Sequence, residues 1–280
     1  MTTHTQLHPC AKVNLGLNIV GQRPDGYHDI ETVFYPIPLC DELTVDVCPS
    51  SDGKAPDCRL TLEGRPLEGD MADNLVVRAY RILANDIPLP PVSVTLRKVI
   101  PSQAGLGGGS SDAAAMLKAL NSLCNLRLSN DTLRRYAARL GADCAFFIDS
   151  LPALATGIGD ILHPIELDLK GWHMLLVKPD DAVNTAQAYA GITVQRPTLS
   201  CADIVSNPVS TWQGKLCNDF EASVLPKHPL IDDVRRRMEH LNADYIQMSG
   251  SGSTMFALSR EPLNITEDTF PQCWIAKLKL

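Results

Sequence analysis

A chain of 280 residues with 45% hydrophobic and 20% charged residues is long enough for one large or two modest domains with real cores. Its formal net charge of −7 argues against a nucleic-acid partner, and no apolar run approaches the ~18–20 residues that span a bilayer. The nine cysteines are scattered without a C-x-x-C pair, and the first residues show no leader pattern, so reduced thiols in a cytoplasmic protein are expected, without zinc or disulfides.

The first predicted element is a strand over residues 11–19, whose side chains alternate between two faces. The apolar face carries Val13, Leu15, Leu17 and Ile19, and the polar face carries Lys12, Asn14, Gly16 and Asn18. Two interpretations of the polar face stay open. It faces bulk water, or it lines a cleft in which Lys12 supplies positive charge.

A turn is predicted next, because Pro24 and Gly26 set the backbone in the run Gly21-Gln22-Arg23-Pro24-Asp25-Gly26-Tyr27-His28. By itself a Tyr-His pair after a turn is typical of a protein surface. Alternating or β-rich runs then predict strands, and Asp73-Asn74 predicts a helix start. The predicted elements are strands over 30–34, 43–47 and 59–62, a loop over 49–57, a helix ending near Asn85, and a strand over 92–96.

A glycine-rich loop joins that last strand to a helix whose apolar residues recur at spacings of three and four. The loop is Pro101-Ser102-Gln103-Ala104-Gly105-Leu106-Gly107-Gly108-Gly109-Ser110-Ser111. Glycines permit positive φ and a close approach of the backbone, and the first N–H groups of a helix attract anions, so this order predicts a phosphate site. Ser110 excludes both a Walker A loop and a GxGxxG fingerprint. The alternative is a flexible linker, or a helix start with Ser110 or Ser111 as N-cap.

Another helix is predicted over residues 129–140, and Gly141 ends it. Asp143 follows immediately and precedes an apolar segment. Two roles stay open for this carboxylate. It caps a short following helix, or it stands at the floor of a functional site.

The pattern breaks over residues 150–160, which predicts two domains, 1–155 and 156–280. Beyond the break, a turn at Ser249-Gly250-Ser251-Gly252-Ser253 by itself favours a hairpin. The predicted elements are a strand over 172–177, a helix from Asn184-Thr185 through Tyr189, a helix opened by Asn218-Asp219-Phe220-Glu221, a helix over 231–241 with a solvated Arg235-Arg236-Arg237 face, and strands over 245–248 and 254–258.

Several of these runs resemble motifs of the GHMP kinases. The glycine-rich loop with Asp112-Ala113-Ala114 resembles their phosphate-binding motif, and Ala11-Lys12-Val13-Asn14-Leu15-Gly16-Leu17 resembles their opening motif. Gly141-Ala142-Asp143, the run 248–253 and the run 218–221 resemble three more. The resemblance implies an α+β, two-domain GHMP kinase fold: a ribosomal S5 domain 2-like N-terminal domain and a ferredoxin-like C-terminal domain, with the active site between them.

The resemblance also implies the chemistry. A GHMP kinase transfers the ATP γ-phosphoryl group to an alcohol with Mg²⁺ present, and here residues 101–111 would hold the ATP phosphates. Asp143 would be the catalytic base, and Lys12, which lies beside that aspartate in the family, would keep it ionised and stabilise developing charge. The protein ligands of the metal are not implied by any motif.

The Arg23–His28 turn is the motif that narrows the substrate. It resembles a piece found in one branch of the family, in which the Tyr-His end helps to hold a cytosine. The branch implies a small-molecule substrate, a cytidine diphosphate-linked methylerythritol phosphorylated on its 2-hydroxyl in non-mevalonate isoprenoid synthesis. The residues implied to line its pocket are Asn14, Tyr27, His28, Thr185 and Tyr189.

Two alternatives stand beside this interpretation. A GHMP kinase for another small alcohol, such as mevalonate or homoserine, would lack the Arg23–His28 turn. A non-catalytic, ligand-binding relative would not need to keep Lys12, Asp143 and an intact glycine-rich loop.

Overall fold

The computed structural model describes residues 3–48, 58–67, 69–192, 194 and 197–280. The chain divides into two compact units made of interleaved segments. The first unit comprises Met1–Ala11, Leu39–Ser102 and Gly107–Leu151, and the second comprises Lys12–Pro38, Gln103–Leu106 and Pro152–Leu280. The glycine-rich loop therefore contributes to both units, and the predicted domain boundary at 155/156 stays a prediction.

The strands of the described residues form three four-stranded sheets, with the orders β1-β4-β6-β5, β2-β3-β7-β8 and β10-β11-β9-β12. Their bounds are β1 His4–Leu7, β2 Cys10–Gln22, β3 His28–Cys40, β4 Glu42–Val47, β5 Cys58–Gly64, β6 Val92–Lys98, β7 Ala153–Thr156, β8 Ile161–Pro164, β9 His173–Lys178, β10 Tyr245–Met248, β11 Met255–Ser259 and β12 Trp274–Lys279.

The described residues also contain short 3₁₀ turns, of which Ala142–Ala145 matters most below. Their bounds are α1 Leu75–Ala84, α2 Gly108–Leu123, α3 Asn130–Ala138, α4 Phe146–Asp149, α5 Thr185–Tyr189, α6 Cys201–Val205, α7 Asp219–Val224 and α8 Pro229–Met238. In the described part of the chain no helix combines the length and the apolar character needed to cross a bilayer.

The first unit packs helices α1 and α2 with the β1-β4-β6-β5 sheet. Strand β6 is central: β4 runs antiparallel to it and β5 parallel, and Thr95 lies opposite both Thr44 and Thr61. Helix α2 buries Met116 and Leu120, as its spacing predicts, while Leu123 and Cys124 of the same predicted stripe are partly buried. The predicted cap of α1 is confirmed, because the side chain of Asn74 accepts a hydrogen bond from Val76 N.

The second unit contains the other two sheets and helices α5 to α8. Strands β10 and β11 are antiparallel from Tyr245↔Leu258 to Met248↔Met255, so residues 249–254 form a hairpin connection, as predicted. One hydrophobic cluster unites β2, β9, α7, α8 and the hairpin. Its buried members are Leu17, Ile19, Ile30, Leu175, Val177, Val183, Ala188, Phe220, Val224, Ile231, Val234, Met238, Met248, Met255, Ala257 and Phe270.

Three sequence-based interpretations are wrong. The polar face of β2 does not face water, because residues 11–19 are all buried. Neither Ser110 nor Ser111 caps α2, whose N-cap is Gly107. Asp143 caps no helix: it lies inside the 3₁₀ turn Ala142–Ala145, whose N-cap is Gly141. Each of these interpretations was based on local sequence alone, and the structure excludes it.

Other elements differ from the prediction or were missed. Strand β3 extends to Cys40 rather than ending near 34. Its pairing with β7 stops at Phe34, so Pro36 and Pro38 remove no hydrogen bond from that pair of strands. The elements β1, β7, β8, β12 and α6 were not predicted. Most of these have only four or five residues, too few for a periodic signal. The predicted loop over 49–57 lies outside the described residues.

Candidate active site

The glycine-rich loop ends in an open helix start. Gly107 has φ 70° and ψ 16°, a left-handed conformation suited to glycine, and no side chain caps α2. The first bond of the helix runs from Ser111 N to Gly107 O at 2.9 Å, so the N–H groups of residues 108–110 precede it. These groups carry the positive end of the helix dipole, which suits a phosphate.

Two neighbouring glycines in this loop have different surroundings. A Cβ on Gly108 would lie 2.9 Å from Ile100 Cγ2, so packing requires a glycine there. A Cβ on Gly109 would meet only Leu75 Cδ1, at an ordinary 3.6 Å, and Gly109 is exposed. Nothing among the described neighbours excludes a side chain at 109.

The remaining loop residues vary in exposure. Buried members are Pro101, Ala104, Leu106, Gly108 and Ser111, partly buried members are Gly105, Gly107 and Ser110, and exposed members are Ser102, Gln103 and Gly109.

Within the first unit, Ser110 hydrogen-bonds the Cys144 thiol, whose pKa is raised to about 11 chiefly by burial. This bond ties the first turn of α2 to the 3₁₀ turn that carries Asp143.

A buried ionic cluster lies beneath the same helix. Lys98 Nζ donates to Asp41 Oδ2 and, at 2.6 Å, to Asp112 Oδ2. Asp41 Oδ1 accepts from Val99 N at 2.5 Å and Ile100 N at 2.8 Å. Burial raises the pKa of Asp112 to about 7, against the opposing effect of Lys98. The cluster fixes the backbone where β6 enters the loop.

Lys12 is held at the start of β2 in the second unit. It is 3% exposed, and its Nζ donates to Asn14 Oδ1 at 2.6 Å and to Gly105 O at 3.1 Å. The same ammonium lies 5.0 Å from the centre of the Phe34 ring, a favourable cation–π distance. Asn14 in turn donates to Thr32 Oγ1 at 3.0 Å. The polar face of β2 therefore binds protein groups and holds a buried positive charge.

The hairpin turn 249–253 packs on the part of the glycine-rich loop that belongs to the same unit. Ser249 Oγ donates to Gly105 O at 2.9 Å. A Cβ on Gly105 would lie 1.9 Å from Ser249 O, and Gly105 has φ +72°, so glycine is required twice over. The amide of Asn218 donates to Met248 O and Gly250 O at 2.7 and 2.8 Å.

The residues implied to bind the substrate also lie in the second unit. The rings of His28 and Tyr189 stack, with centroids 4.6 Å apart and planes at 14°, and Tyr189 meets Phe220 edge-on. Thr185 Oγ1 lies 3.0 Å from Ser251 Oγ. Tyr27 is 61% exposed.

The turn before His28 is internally braced, since Arg23 Nε donates to Asp29 Oδ1 at 2.7 Å and Arg23 N to Tyr27 O at 2.7 Å. The structure thus brings together Lys12 with Asn14, His28 with Tyr189, and Thr185 with the hairpin turn.

Sequence reasoning missed the supporting residues. Asp41 and Lys98 gave no signal, because the two partners of Lys98 lie 57 and 14 residues away in the chain. Asp112 was noted only as part of the phosphate-binding motif, and its pairing with Lys98 was not predicted. Asn218 was read as a helix start, which is confirmed by its bond from Phe220 N at 3.0 Å. Its amide donors to the hairpin turn were not predicted.

Comparison with known proteins gives the family. The family description "GHMP kinases N terminal domain" matches residues 74–150 and "GHMP kinases C terminal" matches 210–267. A 4-diphosphocytidyl-2-C-methyl-D-erythritol kinase of Bacteroides fragilis is 48% identical over 97% of this chain and 98% of its own length. The enzyme of that name from Bacteroides thetaiotaomicron is 48% identical over 94% of this chain and 93% of its own.

Solved structures agree. A crystal structure of 4-(cytidine 5'-diphospho)-2C-methyl-D-erythritol kinase matches with a TM-score of 0.79 and 30% identity, covering 98% of this chain and 99% of that one. A homoserine kinase from Cytophaga hutchinsonii matches with a TM-score of 0.72 at 18% identity, over 100% and 96% of the two chains, which shows a shared fold alone.

The fold, the motifs and the similarity to known proteins show that the chain is a GHMP kinase. It has the two-domain α+β fold that the sequence predicts. Within that class, the chain belongs to the family of 4-diphosphocytidyl-2-C-methyl-D-erythritol kinases.

Proposed function

We propose that the chain transfers the γ-phosphoryl group of ATP to the 2-hydroxyl of 4-diphosphocytidyl-2-C-methyl-D-erythritol, in the non-mevalonate synthesis of isoprenoid precursors. The observation that carries this is identity of 48% along nearly the whole length of relatives named for that substrate. The chain also keeps the braced turn ending in Tyr27-His28. Location in the cytoplasm stays a prediction.

Phosphate binding is the role proposed for residues 101–111. The fit rests on the uncapped start of α2 and on exposed Gly109, which leave N–H groups of residues 108–110 available to phosphate oxygens. The described residues contain no group of three or more His, Cys, Asp or Glu side chains placed to hold a metal. Mg²⁺ usually keeps several waters and binds through substrate phosphates, so the proposal needs no such cage. If bound there, Mg²⁺ would neutralise charge on the transferring group.

Proton transfer and charge stabilisation are the roles proposed for Asp143 and Lys12. Asp143 accepts the proton of the attacking hydroxyl, the role of the aspartate in the family motif Gly-Ala-Asp that residues 141–143 match. Lys12 supplies a fixed positive charge that stabilises the phosphoryl group as negative charge develops. Its hydrogen bonds to Asn14 and Gly105 orient the ammonium before substrate binds. Phosphoryl transfer depends on such alignment more than on covalent help from the protein.

The substrate pocket is proposed to be lined by Asn14, Tyr27, His28, Thr185 and Tyr189. The stacked rings of His28 and Tyr189 offer an aromatic surface for a base. A histidine nitrogen at the edge of that surface can hydrogen-bond a cytosine. The hydroxyl of Thr185, beside Ser251, offers a polar contact to a diphosphate or an alcohol.

The test is an assay of ADP release with ATP and three alcohols. The cytidyl substrate is expected to exceed mevalonate and homoserine by at least about 10²-fold in kcat/KM, because those compounds lack the base that fills the pocket. Equal or reversed preference would assign the chain to another alcohol. ATP binding without turnover on any of the three would favour the non-catalytic alternative.

A further inference from the structure

The segment Asn218–Glu221 has no part in the proposed chemistry, yet its side chains hold the hairpin turn. Asn218 is 4% exposed. Its Oδ1 accepts from Phe220 N and so caps α7, while its Nδ2 donates to Met248 O and Gly250 O at 2.7 and 2.8 Å. One side chain therefore performs two separable functions, a cap and a bridge between two carbonyls.

Glu221 reinforces the same turn from the next position on that face of α7. Its Oε1 accepts from Met248 N at 2.7 Å. Asn218 and Glu221 together bind three backbone groups at the point where β10 enters the turn. Because both side chains are largely buried, these bonds are not exchanged for water without cost.

Ser249, the residue between the two carbonyls that Asn218 holds, connects the turn to Lys12. Its hydroxyl donates to Gly105 O at 2.9 Å and accepts from Asn14 N at 3.2 Å. Gly105 O and Asn14 Oδ1 are also the two acceptors described above for Lys12 Nζ. The contact between Gly105 and Ser249 leaves no room for a Cβ, so a shift of the turn moves the acceptors of Lys12.

We propose that Asn218 is a positioning residue for Lys12, acting through the hairpin turn, Ser249 and Gly105, with Glu221 as a second support. The inference rests on the catalytic role proposed for Lys12. The proposal predicts that loss of the amide donors of Asn218 lowers kcat, whereas loss of its capping oxygen lowers only the stability of the fold.

Two variants separate those functions. Asn218→Asp keeps a capping oxygen, since Asp and Asn cap helices about equally well, but it places a carboxylate oxygen against two carbonyls. Asn218→Ser also keeps a cap, adds no charge and is too short to reach both carbonyls. Both are expected to lower kcat about 10- to 100-fold, as a displacement near 1 Å does in a positioned site. KM for ATP should change less than about threefold, because the N–H groups proposed to bind the phosphates are those of residues 108–110, at the start of α2.

Asn121→Asp is the matched control. Asn121 also uses its amide to donate to a carbonyl, Leu128 O at 3.1 Å, and its oxygen to accept from the same residue's N–H. It lies at the far end of α2 from the glycine-rich loop. Its substitution should lower the melting temperature about as much as Asn218→Asp and leave kcat unchanged, which separates a loss of positioning from a loss of folded protein.

The decisive measurement is a double-mutant cycle with Lys12→Met. If Asn218 acts through Lys12, Asn218→Ser lowers kcat in the wild-type background and has little further effect beside Lys12→Met. An equal fall in both backgrounds, or full kcat in both Asn218 variants, would overturn the inference while leaving the role of Lys12 intact. Wild-type kcat in Lys12→Met alone would instead remove the proposed role of Lys12, and the inference with it.

Discussion

Asp112→Asn should stabilise the protein, and the gain should grow with pH. The buried cluster contains two carboxylates, Asp41 and Asp112, and one ammonium, Lys98. Asp112 Oδ1 has no hydrogen-bond partner among the described residues. The ionised cluster therefore carries a surplus negative charge in a buried site, and the neutral amide removes it.

The magnitude follows from the pKa of Asp112, which burial raises to about 7. An unperturbed aspartate has a pKa of about 3.9, so the folded state binds more protons than the unfolded state between about pH 4 and pH 7. Stability therefore falls as pH rises through this window, by about 1.4 kcal/mol per pH unit, and is lowest above it. Between pH 5 and pH 8, wild type should lose about 2–3 kcal/mol relative to Asp112→Asn, or about 4–12 °C in Tm.

The assay is denaturant unfolding of both proteins at pH 5, 6, 7 and 8, in which groups common to both cancel. Asp131→Asn is the control: Asp131 pairs with Arg134 at the surface, so its difference from wild type should stay within about 0.5 kcal/mol at each pH. If both carboxylates of the cluster were needed by Lys98, Asp112→Asn would destabilise the protein by about 3–5 kcal/mol. That result, or a difference independent of pH, would refute the reasoning.

Three further outcomes are expected. Gly109→Val should weaken ATP binding and leave the fold intact. Gly108→Ala should instead lower the free energy of unfolding by about 1–3 kcal/mol, because its Cβ clashes with Ile100. Unchanged ATP affinity in a folded Gly109→Val protein would remove the phosphate role. Asp143→Asn should lower kcat about 10²–10⁴-fold at similar KM for ATP, and near wild-type turnover would make Asp143 structural. The uridine analogue should lose about 30- to 10⁴-fold in kcat/KM, since two buried contacts are left unpaired, and His28→Ala should reduce that preference; equal rates on wild type would mean that the base is not recognised.

Much of the fold was predictable because it depends on local signals. Helices α1, α5 and α7 begin where Asn74, Asn184 and Asn218 accept hydrogen bonds from the next turn, and such caps are visible in sequence. Alternation found β2 and β6 for the same reason. Alternation cannot show whether the polar face of a strand contacts solvent or other parts of the protein. Lys12 and its neighbours on β2 face protein, because a turn more than 230 residues later packs on them.

The residues of the candidate site likewise fall into those that the sequence predicts and those that it does not. The residues that contact ligand in the proposal were all named from the family resemblance, since its motifs record the types of residue that the chemistry needs. The residues that hold them were not. Lys98 and Asp41 are distant in sequence, and the amide donors of Asn218 were concealed by its cap. Supporting contacts of this kind depend on tertiary packing, and packing leaves no fixed spacing in the chain.

The proposed reaction phosphorylates one particular oxygen atom of the substrate, and ³¹P NMR of the product shows directly which oxygen carries the phosphate. C2 of the substrate carries both a methyl group and the hydroxyl, so it has no hydrogen. After reaction with ATP, a phosphate on O2 gives a new monoester signal without three-bond coupling to a proton. Phosphate on any other hydroxyl of the erythritol chain would be split by the hydrogens of its own carbon. The proposed function predicts the uncoupled signal, and a coupled one, or no new phosphomonoester, would contradict it.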